Sequence, residues 1–252
     1  MPSEEREESR LLTPATADLL GAAELEVIGR LANSSNGTFL VRCQAPGEAE
    51  GSGMLAVYKP AAGERPLWDF PADSLHRREV AAFELSRWLG WDLVPTTVER
   101  PDGPLGAGSV QAFVDHDPDE HYFTLQDAHR PFFMRLAFFD MLANNADRKG
   151  GHCLLDGSGR VWAIDHGLTF HVEPKLRTVL WDYAGSRLPA AERRAAHRLA
   201  GALDEASDIR ARLSELISGE ELRALRERAS ALSQPGIYPA PGSAWSFPWP
   251  VV

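Results

Sequence analysis

Residues 138–170 read FFDMLANNADRKGGHCLLDGSGRVWAIDHGLTF, and this stretch determines how the rest of the chain is interpreted. It predicts the end of an apolar helix, a polar loop, a hairpin of two short strands and a second, acidic turn. Asp147 lies in the loop and Asp165 in the turn, so the hairpin is expected to bring the two carboxylates together. Lys149 and His152 lie beside the first carboxylate. This set of side chains predicts a site for a metal-bound phosphate group.

The composition excludes several classes of protein. At 252 residues, with 44% hydrophobic and 25% charged residues, the chain can bury a sizeable core. A formal net charge of −10 argues against a nucleic-acid partner, because such proteins carry a basic stripe. No apolar run approaches the ~20 residues of a membrane helix, and the acidic start MPSEEREESR is unlike a signal peptide. We therefore predict a cytoplasmic protein without a transmembrane segment.

The two cysteines, Cys43 and Cys153, cannot form a disulfide framework or a four-cysteine zinc site. Cys153 borders the candidate site. A small, buried apolar side chain is the interpretation we favour for it, because free cysteine is among the most buried residue types. The sequence therefore predicts no structural role for either thiol beyond packing.

The first half of the chain predicts an antiparallel hairpin. Residues 24–31 and 39–43 have the character of strands, and residues 32–38 between them form a turn of small residues. Small side chains let backbone N–H groups approach phosphate oxygens closely. An ordinary hairpin tip is the alternative interpretation of the same residues.

A lysine and a glutamate follow that hairpin. Lys59 lies at the end of the strand MLAVYKP, and residues 74–89 predict a helix that carries Glu79 and Glu84. An ion pair between Lys59 and one of these glutamates would hold the lysine extended towards phosphate groups. Two unrelated surface charges would give the same sequence pattern.

The remaining elements predict a mostly helical second half. Residues 109–114 form a strand whose main chain can bind an adenine ring, and residues 131–143 form a central apolar helix. Helical periodicity returns between residues 189 and 232. The segment 235–252 is rich in proline and aromatic residues, and we expect it to fold back on the domain or to bind a partner.

With these elements in order, the chain resembles the phosphatidylinositol 3/4-kinase-like family, in particular the type II phosphatidylinositol 4-kinases and their small bacterial relatives. The similarity spans residues 29–182 and is most specific in GSVQAFVD (108–115), NADRKGGH (145–152) and AIDHGL (163–168). It implies an α+β, two-lobed protein-kinase-like fold with a small antiparallel-sheet N-lobe and a mostly helical C-lobe. The boundaries that we predict are a disordered acidic tail (1–20), the N-lobe (21–112), the C-lobe (113–234) and a C-terminal tail (235–252).

The resemblance implies an ATP-dependent phosphotransferase that moves the γ-phosphate of ATP to a hydroxyl of a lipid, protein or small molecule. In this interpretation Asp147 orients or deprotonates the acceptor hydroxyl, and Lys149 neutralises charge on the phosphoryl group. Asp165 would ligate Mg²⁺ or Mn²⁺, together with His152. The implied ATP-binding residues are Ser34, Ser35, Asn36, Gly37, Lys59, Glu79, Gln111, Phe113 and Val114.

One position departs from the family pattern. His152 replaces the asparagine that the family uses as a metal ligand five residues after the catalytic aspartate. Neutral imidazole suits Mn²⁺ better than the harder Mg²⁺. The replacement predicts a preference for Mn²⁺, a mechanism with a single metal, or a degraded active site.

Three other functions fit parts of the sequence. A hydrolase could gather His152, Asp165, His166 and His171 around a metal, although their spacing matches no compact motif. A nucleotide-binding pseudokinase could act as an interaction module. An enzyme that transfers AMP could use the same fold.

Overall fold

The computed structural model describes residues 10–31, 36–47, 49 and 51–252. Its contacts divide the chain into two compact units. Unit 1 comprises Met1–Arg65 and Pro95–Val114, and unit 2 comprises Pro66–Val94 and Asp115–Val252. The chain therefore begins in unit 1, enters unit 2 at Pro66, returns to unit 1 for the hairpin within Pro95–Val114 and then continues in unit 2.

Unit 1 is built on a five-stranded antiparallel sheet in the order β1-β2-β3-β5-β4. The predicted hairpin between the first two strands and the predicted strand MLAVYKP are both present, because apolar side chains alternate along these segments. The strands are β1 (Glu24–Arg30), β2 (Phe39–Gln44), β3 (Met54–Pro60), β4 (Thr97–Gly103) and β5 (Gly106–Ala112).

Helix α1 (Pro14–Ala22) covers one face of this sheet. Leu20 is fully buried in the same apolar cluster as Val41 and Val110 of the strands. The side chain of Thr13 caps the helix by accepting a hydrogen bond from the backbone N–H of Thr16. We predicted a disordered tail over residues 1–20. For residues 10–20 this prediction is wrong, because this segment is helical and buries apolar side chains against the sheet. Residues 1–9 lie outside the described residues.

Strand β3 directs its side chains to two faces, as its sequence predicts. Ala56 and Tyr58 are fully buried on the face covered by α1, whereas Val57 and Lys59 belong to the opposite face. Lys59 pairs in register with Ser109 of β5. The lysine is therefore separated by the sheet from the apolar core of unit 1.

Unit 2 is mostly helical and is centred on α4 (Arg130–Ala143), the predicted apolar helix. Its side chains Phe133, Leu136 and Phe138 are fully buried, and it has a proline in its first turn. Among the described residues, no helix is both long enough and apolar enough to cross a membrane. The other elements of unit 2 are α2 (Leu75–Trp88), α3 (Tyr122–Leu125), α5 (Ala190–Asp204), α6 (Asp208–Leu216), α7 (Gly219–Leu232), β6 (Cys153–Leu155) and β7 (Val161–Ala163).

Helix α2, which we predicted to belong to the N-lobe, groups with unit 2. The buried guanidinium of Arg78 donates a hydrogen bond of 2.6 Å to the carbonyl of Thr169 and forms an ion pair with Glu221 on α7. Glu84 pairs with Arg212 of α6 at 2.9 Å. A buried guanidinium needs such partners, so these contacts fix the helix to the helical unit. The predicted N-lobe is therefore corrected for residues 66–94.

The segment that follows α7 folds back on unit 2, as its aromatic content predicts. Tyr238 is buried, and its hydroxyl donates a hydrogen bond to the carbonyl of Met134 on α4. The ring of Phe247 packs edge-on against that of Trp181. In contrast, the side chains of Trp245 and Trp249 are 81% and 89% exposed. The segment is thus attached to the unit while two of its large aromatic rings face solvent.

Candidate active site

The polar loop and the acidic turn meet in unit 2, as the hairpin between them predicts. Strands β6 and β7 pair in antiparallel register and return the chain to its starting point. The backbone N–H of Ile164 then donates a 3.0 Å hydrogen bond to the carbonyl of His152. As a result, the charge of Asp165 acts on the carboxylate of Asp147.

Asp147 is a partly buried carboxylate surrounded by charges of both signs. Its side chain is 28% exposed, and its Oδ2 lies 3.3 Å from Nζ of Lys149. Burial raises the pKa of Asp147, and the negative charge of Asp165 raises it further. The positive charges of Lys149 and Arg177 lower this pKa, but by less, so it stays above its ordinary value. A carboxylate with a raised pKa is a stronger proton acceptor than an ordinary exposed aspartate. The role of Asp147 as a general base stays a prediction.

Asp165 and His152 form the second half of the site. Oδ2 of Asp165 lies 3.2 Å from Nε2 of His152. Two ligands on neighbouring positions of an octahedral cation, each bonded at about 2.1 Å, are separated by about 3 Å. The pair therefore fits joint coordination of one divalent cation, and its imidazole favours Mn²⁺.

The turn that carries Asp165 has an unusual backbone conformation, which Glu79 helps to hold. Asp165 has φ 59°, in the left-handed region that few residues other than glycine adopt. The next backbone N–H, that of His166, donates a 2.8 Å hydrogen bond to Oε2 of Glu79, a buried side chain of α2. Within unit 2, Glu79 thus positions the acidic turn. Its predicted ion pair with Lys59 stays a prediction.

A buried ion pair, which the sequence interpretation missed, connects the loop to the helix before it. Arg148 and Asp140 are both fully buried and form two hydrogen bonds, of 3.0 and 3.1 Å. Asn145 donates a further hydrogen bond of 3.0 Å to Asp140, and its own Oδ1 accepts from the backbone N–H of Asp147. Burial disfavours the charge on Arg148, but Asp140 outweighs this effect and raises the pKa of the guanidinium.

Arg148 also reaches the acidic turn. Its Nη1 donates a 2.7 Å hydrogen bond to the carbonyl of Ile164, and its Nη2 lies 2.6 Å from Nε2 of His166. Because a guanidinium only donates hydrogen bonds, Nε2 of His166 must accept, and this imidazole is neutral. One buried cation therefore aligns the turn of Asp165 with the loop of Asp147.

These contacts remove the basis for the hydrolase alternative. His166 is turned towards Arg148, and Nε2 of His171 lies 2.8 Å from the carbonyl of Asp69. Neither histidine joins His152 and Asp165. No group of three or more histidine, cysteine or acidic side chains in the described part of the chain is arranged to hold a metal ion.

The predicted phosphate loop of unit 1 differs from expectation where it is described. Gly37 donates its N–H to the carbonyl of Gly63 at 2.8 Å, and the side chain of Asn36 accepts from the N–H of Arg65. The two glycine backbones approach so closely that a Cβ on Gly63 would lie 2.9 Å from Cα of Gly37. The N–H of Gly37 is therefore engaged within unit 1, and the binding of phosphate by this loop stays a prediction. Ser34 and Ser35 lie outside the described residues.

The predicted adenine-binding strand contains two groups that are already engaged within unit 1. Nε2 of Gln111 donates a 2.8 Å hydrogen bond to Oγ1 of Thr97, and the N–H of Phe113 donates to the carbonyl of Leu55. Gln111 is buried in the sheet, and contact of Gln111 and Phe113 with ATP stays a prediction. For Lys59 and Val114, contact with ATP stays a prediction.

Both cysteines are free thiols in buried positions, as the sequence predicts for Cys153. Burial raises the pKa of Cys153 to about 12 and that of Cys43 to about 11. Because the thiolate is the reactive form, we expect neither to react with Ellman's reagent in the native protein and both to react after unfolding in urea. Rapid labelling of Cys153 in the native protein would contradict its burial beside the site.

Comparison with known proteins places the chain in a family. No protein-family model matches it. It is 39% identical over 267 aligned positions to Protein Rv2133c of Mycobacterium tuberculosis (strain ATCC 25618 / H37Rv), an alignment that covers 92% of this chain and 94% of that protein. The chain belongs to the Rv2133c family. Its predicted membership of the phosphatidylinositol 3/4-kinase-like family stays a prediction.

Two solved structures are similar in fold. The structure of hydra Fam20 with sugar matches with a TM-score of 0.54 and 15% identity, covering 86% of this chain and 86% of that chain. The Helicobacter pylori proinflammatory kinase CtkA matches with a TM-score of 0.51 and 11% identity, covering 85% and 93%. At these identities the similarity shows the fold alone. The predicted α+β, kinase-like fold class is thus confirmed for this member of the Rv2133c family.

Proposed function

We propose that this chain is an ATP-dependent phosphotransferase that moves the γ-phosphate of ATP to a hydroxyl acceptor. The observation that carries the proposal is the meeting of two pairs of side chains in unit 2. One pair is Asp147 with Lys149, and the other is Asp165 with His152. Phosphoryl transfer requires positioning and charge neutralisation more than covalent chemistry, and these pairs supply both. The kinase-like fold supports the same class of reaction.

Each pair has a distinct role in this proposal. Asp147 accepts a hydrogen bond from the acceptor hydroxyl and takes its proton, for which its raised pKa is suited. Lys149 neutralises charge on the phosphoryl group. Asp165 and His152 would hold a divalent cation, which when bound neutralises the phosphates of ATP. In unit 1, we propose that Lys59 contacts a phosphate and that the main chain of Val114 binds adenine.

A nucleotide-binding pseudokinase is the second candidate, and the contact between His152 and Asp165 favours it. When His152 is protonated, the two side chains form an ion pair that needs no metal. Binding of ATP without a divalent cation would then be possible. The two candidates therefore differ in whether nucleotide binding depends on a metal ion.

Radiolabelled ATP tests the proposal directly. The chain is incubated with ATP labelled at the γ- or the α-phosphate, with Mg²⁺ or Mn²⁺. We expect transfer of the γ-label only, faster with Mn²⁺, and a decrease of about 10²–10³-fold in Asp165→Ala, because the charge that stabilises the transition state is lost. Glu173→Ala, which removes an exposed carboxylate of the same unit, should keep the wild-type rate.

Two results of this experiment would contradict the proposal. Transfer of the α-label would show an AMP-transferring enzyme. Transfer of neither label, together with a rise in melting temperature on adding ATP without metal, would show a pseudokinase, since a ligand that binds the native state stabilises it.

A further inference from the structure

The loop of Asp147 is paired along its length with the segment that follows the acidic turn. The N–H of Arg177 donates to the carbonyl of Asn145, the N–H of Arg148 donates to the carbonyl of Arg177, and the N–H of Val179 donates to the carbonyl of Arg148, at 2.9–3.1 Å. The N–H groups of residues 177 and 179 thus point towards the loop. Because successive N–H groups of an extended chain point to opposite sides, the N–H of Thr178 points away from it.

The chain's own residues 244–252 occupy that open side. The carbonyl of Ser246 accepts hydrogen bonds from the N–H of Thr178 at 3.1 Å and from the indole N–H of Trp181 at 3.2 Å. Further along, the carbonyl of Val251 accepts a 2.7 Å hydrogen bond from the N–H of Gly150. The segment is therefore held by its main chain at two points that flank the loop carrying Asp147.

Two side chains, those of Phe247 and Pro248, add to this main-chain attachment. Phe247 packs edge-on against Trp181 with ring centroids 6.3 Å apart, and Pro248 is buried. Recognition of main-chain carbonyls beside an extended segment is how proteins bind peptides of variable sequence. We call the surface formed by Gly150, Thr178 and Trp181 the peptide groove.

We infer that the peptide groove is the acceptor site and takes a polypeptide segment, which displaces residues 244–252. This inference rests on the proposed function and names its class of acceptor: a protein hydroxyl, presented beside Asp147. The groove ends at Gly150, three residues from the proposed base, and Thr178 is next to Arg177, whose charge acts on Asp147. Asp147 keeps 28% exposure while the segment is bound, so its carboxylate remains accessible.

The test uses the full-length chain, the variant Phe247→Ala and a fluorescein-labelled peptide with the sequence of residues 241–252, PGSAWSFPWPVV. Phe247 is 42% exposed, so its truncation should weaken the attachment without unfolding the unit. We expect amide exchange at Gly150 and Thr178 to become about tenfold faster, as for loss of one aromatic contact. Trp245→Ala, the matched control, removes an exposed ring and should change neither rate.

The added peptide should bind to Phe247→Ala more tightly than to the wild type, as measured by fluorescence anisotropy, because the groove is then more often open. It should also inhibit γ-phosphate transfer to a protein acceptor. Transfer to a protein acceptor that proceeds unchanged with peptide bound would overturn the inference and leave the phosphotransferase intact. Peptide binding with no transfer of label to any acceptor would instead contradict the proposed function. Absence of peptide binding to either protein would overturn the groove itself.

Discussion

Replacing Arg148 with methionine is expected to destabilise the folded chain by about 3–5 kcal/mol, the cost of removing one partner of a buried ion pair. Asp140 would remain as a fully buried carboxylate whose two hydrogen bonds from the guanidinium are lost. Denaturation in urea, followed by tryptophan fluorescence, measures the change in the free energy of unfolding.

Two further variants make this result specific. The double variant Arg148→Met with Asp140→Leu should be more stable than Arg148→Met, because no uncompensated charge is left, although Asn145, Ile164 and His166 each lose a hydrogen-bond partner. Arg212→Met is the matched control: its pair with Glu84 is about one-third exposed, and removing it should cost about 1 kcal/mol or less. Equal costs for Arg148→Met and Arg212→Met would contradict the buried pair.

The double variant also separates stability from alignment of the site. Arg148 holds the carbonyl of Ile164 and the imidazole of His166, and neither contact is replaced by methionine. Transfer of γ-phosphate should therefore stay low in the more stable double variant. Recovery of both stability and activity would show that Arg148 serves packing alone.

The sequence was sufficient to predict those parts of the molecule that depend on local patterns. The alternation in MLAVYKP predicts a strand with Lys59 on the face opposite Tyr58, and the run PFFMRLAFFDMLA predicts a buried helix. The meeting of the polar loop with the acidic turn follows from the hairpin, since two short strands joined by a tight turn return the chain to its starting point.

Contacts between residues distant in sequence could not be read in the same way. The grouping of helix α2 with unit 2 depends on Arg78 meeting Glu221, which is 143 residues away. In the same way, Glu79 holds the acidic turn through the backbone N–H of His166, which is 87 residues away. One signal was present: Asp140 is a carboxylate within the apolar run FFDMLA, and a buried acid requires a partner such as Arg148.

The segment 244–252 could not be placed from its sequence because its carbonyl groups make the decisive contacts. Any sequence supplies carbonyl groups, so the pattern of Trp245, Phe247 and Trp249 only suggested that the segment would be buried or bound. Two of these rings are in fact exposed, and the main chain reaches Gly150 and Thr178. Aromatic content alone therefore identified the segment but not the surface that it contacts.

Asp147→Asn is expected to reduce phosphoryl transfer by about 10²–10⁴-fold, the usual contribution of a general base. The same change should increase the free energy of unfolding at neutral pH. Burial raises the pKa of Asp147, so keeping this carboxylate ionised in the folded chain is unfavourable. Asparagine is nearly the same size and carries no charge. A site that acts through Asp147 therefore sacrifices stability for reactivity.

The effect of Asp147→Asn on the free energy of unfolding should depend on pH. A group whose pKa is raised on folding favours the folded state below its unfolded pKa, about 3.9 for aspartate, and loses that contribution as pH rises through the folded pKa. The stability advantage of Asp147→Asn should therefore be smallest in acid and grow towards neutral pH, in urea denaturation series at fixed pH values. Asp156→Asn is the control of opposite sign, because hydrogen bonds from Ser158, Trp162 and Arg160 outweigh burial and lower the pKa of Asp156. Asp156→Asn should therefore destabilise the chain at neutral pH. If Asp147→Asn also destabilised the chain at neutral pH, the carboxylate of Asp147 would hold the loop together rather than accept a proton.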